Sequence, residues 1–168
     1  LLCARASGAD RILIAIEDNK PDAVAAMEKA ATGTPVKVAV LKTKYPMGGE
    51  KQTILSSTGR IVPTGGLPLD VGVAVVNVAT ASAIARAVLR NKPLTHRIIT
   101  VTGAGIRNPK NLLAPIGISY GELIEFCGGM TPEARRVVAG GPMMGFTIGN
   151  LATPVTKGTS GITVMTED

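Results

Sequence analysis

The sequence predicts an α/β fold: a parallel-sheet domain in the first part, followed by a small α+β module. Three observations carry this. Arg11–Ile16 (RILIAI) and Val36–Leu41 (VKVAVL) are short, β-branched apolar runs flanking an Ala-rich helical stretch, which is the βαβ pattern of parallel strands. Apolar residues make up 45% of the chain but aromatics only 2%, so the core is built from Val, Ile, Leu, Ala and Met, as suits βα layers. From Thr95 onward the character changes, and strand-like runs flank a single capped helix.

The elements follow in order. Leu1–Ser7 reads as a helix stopped by Gly8. After the RILIAI strand, Glu17-Asp18-Asn19 offers cap-type residues and Pro21 suits a first helical turn. Pro21–Ala31 is then a helix with Val24, Met27 and Ala31 on one face, ended by Gly33. Gly49–Ser57 is a short helix after the second strand. Residues 59–70 carry Pro63, Gly65-Gly66 and Pro68, which is turn chemistry. Val71–Val76 reads as a third buried strand, and Ala79–Leu89 as a helix stopped by Asn91-Lys92-Pro93. A domain boundary is expected at 94–97.

Arg97–Thr102 and Leu112–Ile116 are expected strands, with a turn over Gly103–Pro109. Ser119 with Glu122 three residues on is a capping box, so Ser119–Cys127 is a helix. Arg136–Ala139 is another strand. Residues 146–168 are expected to be a tail with strand-like spots at Ile162–Met165.

Composition narrows the function. Net charge is +6, with 12 Lys/Arg against 7 Asp/Glu in residues 1–96 and 6 against 5 thereafter, so the basic excess lies in the first part and suits an anionic partner. Four aromatics (Tyr45, Tyr120, Phe126, Phe146) argue against a single-strand nucleic-acid stacking surface. Cys3 and Cys127 are far apart and His96 is the sole histidine, so neither a disulfide framework nor a Cys/His metal motif is present. No apolar run is long enough to cross a membrane, and no signal peptide is expected. The chain opens in mid-pattern without an initiator Met, as expected of a piece of a longer protein.

Chemistry-bearing residues concentrate between Lys42 and Thr80. Gly48-Gly49-Glu50-Lys51 follows a strand and opens a helix, where backbone N–H groups and the helix dipole favour an anion, and Lys42, Lys44 and Lys51 add charge. The same residues also fit a plain helix-starting turn. Asn77 is expected at the carboxyl end of a strand, the ligand-binding edge of open parallel sheets, with its amide facing a flavin ring or a phosphate. Alternatively Asn77 is simply a helix cap. Thr80 is a further cap candidate beside it. Gly103-Ala104-Gly105 lacks the third glycine of a dinucleotide fingerprint, and Asn108-Pro109 stands where its helix would begin, so that assignment is rejected. Met143-Met144 in GGPMMG reads as gap-filling core.

Several stretches together carry a family resemblance: IAIEDNKPDA, TKYPMGGEKQ, the GG-LP-DVGV loop, VVNVAT, RIITVTG, NP-NLLAPIG, GGPMMG and VTKGTSGITV. In this order they resemble the C subunits of Rnf ion-translocating electron-transport complexes, and more distantly the NADH- and FMN-binding 51-kDa subunit of respiratory complex I. The resemblance covers nearly the whole chain. It implies that residues 1–95 are part of a Rossmann-like nucleotide/FMN-binding domain of the complex-I 51-kDa type. It implies that 96–145 are a soluble-ligand-binding β-grasp (SLBB) domain, and that 146–168 lead toward an iron–sulfur domain. The implied function is that of a peripheral subunit of a membrane-bound complex. That complex passes electrons between NADH and ferredoxin, coupled to ion translocation, on the cytoplasmic face of the bacterial inner membrane.

The implied cofactors are FMN and NADH in the full-length subunit. Two [4Fe–4S] clusters are implied outside these residues, with no cofactor held tightly within them. The implied partners are the other subunits of the complex and NAD(H), without nucleic acid and without a membrane span. By this resemblance Gly48, Gly49, Glu50, Lys51, Asn77 and Thr80 are the cofactor-binding set, with no catalytic or metal-ligating residue. Lys51 stands where the complex-I relative has a second acidic residue, and Ala79 where the family has Glu before Thr. The alternative expectation is a ligand-binding or subunit-docking module that holds no cofactor.

Overall fold

The computed structural model describes residues 1–166. The chain divides into two compact units, with the division between Lys92 and Pro93. Each is described by itself.

The first unit holds helix α1 (Leu2–Ser7), strand β1 (Ile12–Glu17), helix α2 (Pro21–Ala31), strand β2 (Val36–Leu41), helix α3 (Glu50–Thr58) and helix α4 (Val78–Arg90). β1 and β2 pair in parallel, from Ile12 opposite Val36 to Glu17 opposite Leu41. They form a two-stranded sheet bridged by α2, in agreement with the alternation of β-branched and Ala-rich runs. Pro21 opens α2, where its missing N–H costs nothing. The α2 cap departs from expectation: its N-cap is Lys20, without a side-chain hydrogen bond, and Asp18 is engaged elsewhere. Asn91 ends α4 in the left-handed region at φ 50°, which Asn tolerates better than most residues.

This unit buries little. Leu41, Ile54 and Val62 are its buried apolar residues, and neither α2 nor α4 has a buried side chain. Every residue of β1 is half-buried.

The expected strand at Val71–Val76 does not form. A 3-10 turn spans Pro68–Val71, Gly72 follows in the left-handed region at φ 65°, and the run to Asn77 is unpaired with Val75 and Val76 exposed. A β-branched run becomes a strand only where a neighbour takes its N–H and C=O groups, and among the described residues none does.

The second unit is a five-stranded mixed sheet in the order β4-β3-β7-β5-β6, with helix α5 (Tyr120–Phe126) supplying Leu123 and Ile124 to its core. Its strands are β3 (His96–Thr102), β4 (Lys110–Pro115), β5 (Arg136–Ala139), β6 (Phe146–Thr147) and β7 (Gly161–Met165). β3 is antiparallel to β4 and parallel to β7, and β7 is antiparallel to β5. Alternation sets the buried face. Ile99 and Val101 of β3 and Ile162 and Val164 of β7 are sealed from solvent and pack with Leu123, Ile124 and Cys127.

Residues 146–166, expected as a tail, therefore supply two strands, one of them inside the sheet. Glu167 and Asp168 lie outside the described residues. The Ser119–Glu122 box is present: the Glu122 N–H donates to Ser119 Oγ at 3.2 Å, and the Ser119 N–H donates to the Glu122 carboxylate at 2.9 Å. The Ser119 hydroxyl and N–H hold the Glu122 carboxyl below its usual range.

Gly103 and Gly105 have a packing reason. A Cβ on Gly103 would lie 2.1 Å from the Val164 carbonyl oxygen, and one on Gly105 would lie 2.7 Å from a Val164 methyl carbon. These glycines let the turn after β3 pass over β7, which agrees with rejecting a dinucleotide fingerprint. Met143 and Met144 are corrected from core to surface. They are 75% and 87% exposed, because GGPMMG is the turn joining β5 to β6.

Candidate functional site

The predicted residues fall on two helix N-termini of the first unit. β2 runs out at its carboxyl end into Lys42–Gly49, and Gly49 is the N-cap of α3. Glu50, Lys51 and Gln52 form the first turn, whose N–H groups have no acceptor within a helix. No side chain caps this end. Space at Gly49 is tight, since a Cβ there would meet the movable Gln52 Oε1 at 2.6 Å and the Pro46 carbonyl oxygen at 3.0 Å. Lys51 Nζ donates to the Pro63 carbonyl at 3.3 Å, tying α3 to the glycine- and proline-rich loop.

The second N-terminus is that of α4. Asn77 is its N-cap, and Asn77 Oδ1 accepts the Ala79 N–H at 2.9 Å. The expected position at the end of a buried strand is thus corrected, because the preceding run is unpaired and Asn77 is exposed. The side-chain oxygen is committed to capping, which leaves the amide N–H groups as the donors Asn77 offers a ligand. Thr80 lies in the first turn of α4, exposed. No hydrogen bond joins the Gly48–Lys51 group to the Asn77–Thr80 group among the described residues.

The two helix starts differ in a way that matters chemically. α4 has a side-chain cap and α3 has none, so the anion-accepting capacity of the dipole and open N–H groups is kept at α3. Lys42, Lys44 and Lys51 are exposed around it. The one salt bridge among the described residues is Lys20 to Glu17 at 2.7 Å, so none of those three amines makes one, although Lys42 lies close enough to Asp18 to favour its charged form. Glu50 contributes an acceptor-only side chain at the same turn. The arrangement offers backbone and ammonium donors for a phosphate, and a carboxylate for ligand hydroxyl or N–H groups.

The residues that hold these loops in place carry little signal in the sequence. Asp18 Oδ1 accepts the Thr43 N–H at 2.9 Å and the Thr43 hydroxyl at 2.7 Å. Arg60 Nη1 donates to the Val71 and Gly72 carbonyls at 2.8 and 3.0 Å, bracing the loop that runs on to Asn77. The only sequence signal for either is an isolated charged residue at the end of a strand or helix. The concave regions at Leu1–Ile12, about 470 Å³, and at Tyr120–Gly161 in the second unit, about 540 Å³, include none of the predicted site residues. No group of His, Cys, Asp and Glu suited to a metal occurs among the described residues. Cys3 is half-buried and Cys127 buried, both as free thiols.

A parallel βαβ pair thus leads into a glycine-rich helix start without a side-chain cap, a terminus chemically able to accept an anion. The chain belongs to the Nuo51 FMN-binding domain family, whose model matches residues 1–86, and an SLBB domain matches residues 98–147. Its relatives are C subunits of ion-translocating oxidoreductase complexes, in line with the motif order. One is the C subunit of the proton-translocating ferredoxin:NAD(+) oxidoreductase complex of Clostridium ljungdahlii, 50% identical over 159 residues, 95% of this chain and 35% of that protein. The C subunit of the ion-translocating oxidoreductase complex of Rhodobacter capsulatus is 46% identical over 98% of this chain and 32% of its own length. The C subunit of the Na(+)-translocating ferredoxin:NAD(+) oxidoreductase complex of Acetobacterium woodii is 44% identical over 99% of this chain and 38% of its own. The chain thus spans about a third of the length of these curated relatives.

Proposed function

We propose that residues 1–92 form one wall of an FMN/NADH site in a subunit of an ion-translocating electron-transport complex. That complex passes electrons between NADH and ferredoxin. The observation that carries this is the uncapped N-terminus of α3, with Gly49 at its cap and the exposed Lys42, Lys44 and Lys51, none in a salt bridge, in the same segment, inside the stretch that matches an FMN-binding domain. Gly48, Gly49 and Lys51 bind phosphate through N–H and ammonium groups. Glu50 accepts from hydroxyl or ring N–H groups, and Asn77 donates through its amide, with Thr80 beside it. FMN, if held there, would supply the redox chemistry that links a two-electron carrier to a one-electron carrier. The low burial of α2, α4 and both faces of β1 supports a wall that further protein covers, because parallel strands are stable when both faces are packed.

The partners in this proposal are the other subunits of the complex. The location in this proposal is peripheral, on the cytoplasmic face of the membrane; no described helix is long and apolar enough to cross one. The iron–sulfur clusters are placed outside these residues. A docking role for the second unit has its own support in the exposed Met143, Met144 and Phe146.

The test is titration of FMN and NADH into the full-length protein and three variants. Glu50→Ala is expected to weaken binding about tenfold, by the loss of a charged hydrogen bond. Asn77→Ser keeps a capping oxygen but loses the amide donors, so it separates ligand binding from helix capping. It is expected to weaken binding several-fold while leaving thermal stability within about 0.5 kcal/mol of wild type. Glu133→Gln, in the second unit, is expected to leave binding unchanged. Wild-type affinity in both site variants would remove the assignment.

A further inference from the structure

We infer that Asp18 and Thr43 form a clamp that positions the Lys42–Lys51 loop for its anionic ligand, which makes Asp18 a positioning residue of the site proposed above. The inference rests on that site assignment. β1 and β2 end side by side, with Glu17 opposite Leu41. Immediately beyond, the Asp18 N–H donates to the Leu41 carbonyl at 2.8 Å, and Asp18 Oδ1 takes both the Thr43 N–H and the Thr43 hydroxyl. Thr43 Oγ1 in turn accepts the Asn19 N–H at 3.3 Å. The two strand ends are therefore cross-linked at the point where the loop leaves the sheet.

The rest of the loop makes this anchor consequential. Between Thr43 and Gly49 its backbone closes on itself, Met47 N–H to Lys44 carbonyl at 2.6 Å and Gly49 N–H to Pro46 carbonyl at 2.7 Å. Its far end is held by Thr53 Oγ1 donating to the Met47 carbonyl at 2.8 Å. A loop that folds on itself and hangs from two points loses its orientation when either is cut. Thr53 fixes the loop only to α3, so its register against β1 comes from Asp18, which holds Thr43 twice, and from the longer Asn19 N–H bond to Thr43 Oγ1.

Two simpler roles for Asp18 do not fit. It does not cap α2, whose N-cap is Lys20. It makes no salt bridge, although Lys42 is close enough to favour its charged form. Thr43, the stronger influence, holds the Asp18 carboxyl below its usual range through neutral donors. The carboxylate thus fixes the loop through neutral donors, without a salt bridge to Lys42 or Lys44.

The experiment uses the full-length protein, FMN binding read by flavin fluorescence, and hydrogen exchange of the loop. Asp18→Ala is expected to weaken FMN binding about tenfold, and Asp18→Asn, which keeps an acceptor oxygen, to stay within about threefold of wild type. Thr43→Val loses the hydroxyl bonds to Asp18 and Asn19 but keeps the Thr43 N–H bond to Asp18, so it should weaken FMN binding in the same direction as Asp18→Ala, with the double variant weaker by less than the product of the two single effects because they share the hydroxyl–carboxylate bond. Amides of 43–49 should exchange faster in Asp18→Ala while those of β3 and β7 do not change. FMN affinity within about twofold of wild type in Asp18→Ala, or an unchanged loop exchange rate, overturns the clamp. If wild type itself binds no FMN, the site assignment fails, and the exchange of 43–49 alone decides the clamp. If Asp18→Ala does not fold, Thr43→Val, which keeps the backbone N–H bond, carries the same two readouts.

Discussion

A polypeptide of residues 98–147 is expected not to fold, whereas residues 93–168 are expected to fold and unfold cooperatively. The shorter piece is the stretch that matches the SLBB domain. It ends before β7, which lies between β3 and β5 in the sheet. Without β7, the parallel edge of β3 and the edge of β5 lose their partners. Ile162 and Val164, both fully buried, leave a gap in the middle of the core. Burial of such side chains contributes about 1.5–3 kcal/mol each. Two of them plus the lost ladder approach the whole stability of a small domain, about 5–15 kcal/mol. Circular dichroism melting of the two pieces measures this. A cooperative transition in the 98–147 piece would mean that β7 is dispensable to the fold.

The second large effect is expected at Gly103. Gly103→Ala places a Cβ 2.1 Å from the Val164 carbonyl oxygen and 2.8 Å from its carbon and nitrogen, at a φ of 110° that non-glycine residues rarely adopt. The obstacle is backbone in mid-sheet, so relief requires moving β7. The cost is about 3–5 kcal/mol, in the range of severe core disruption. Gly117→Ala separates clash from backbone strain, because Gly117 has a similar φ of 100° with nothing within 4 Å of its added Cβ. It should cost about 1–2 kcal/mol, the strain alone. At about 4–8 °C per kcal/mol for a domain of this size, the two melting temperatures separate clearly. Equal melting temperatures would show that the turn over β7 has room to give.

Much of this fold can be read from local chemistry. Pro21 at a helix start, Asn91 at a helix end and the Ser119–Glu122 box each act within a few residues of themselves. The βαβ pair is equally clear, because its two strands and helix are consecutive. What the sequence conceals depends on distant partners. Gly161 pairs with Thr100, and nothing local to GITVM announces that it enters the sheet beside β3. The apolar run at Val71–Val76 has the right residues for a strand but finds no neighbour among the described residues. Met143 and Met144 carry no periodicity, so composition places them inside, whereas the turn places them outside.

The candidate site divides in the same manner. Gly49 and Lys51 are legible because an uncapped glycine-rich helix start is a local pattern. Asn77 is legible as a special residue, and its side-chain oxygen caps α4 through the Ala79 N–H. Asp18 reads as a cap-type residue of the next helix. Its partner Thr43 comes from the other strand, and only the parallel register brings them together.

The claim that residues 1–92 form a wall of an FMN/NADH site is tested most directly by mapping where ligand protects the backbone. Hydrogen exchange of the full-length protein, with and without FMN and then NADH, reads each segment separately. Slower exchange is predicted at Lys42–Lys51 and at Asn77–Thr80, with β3, β7 and α5 unaffected. FMN binding that leaves both of those segments unprotected would contradict the account.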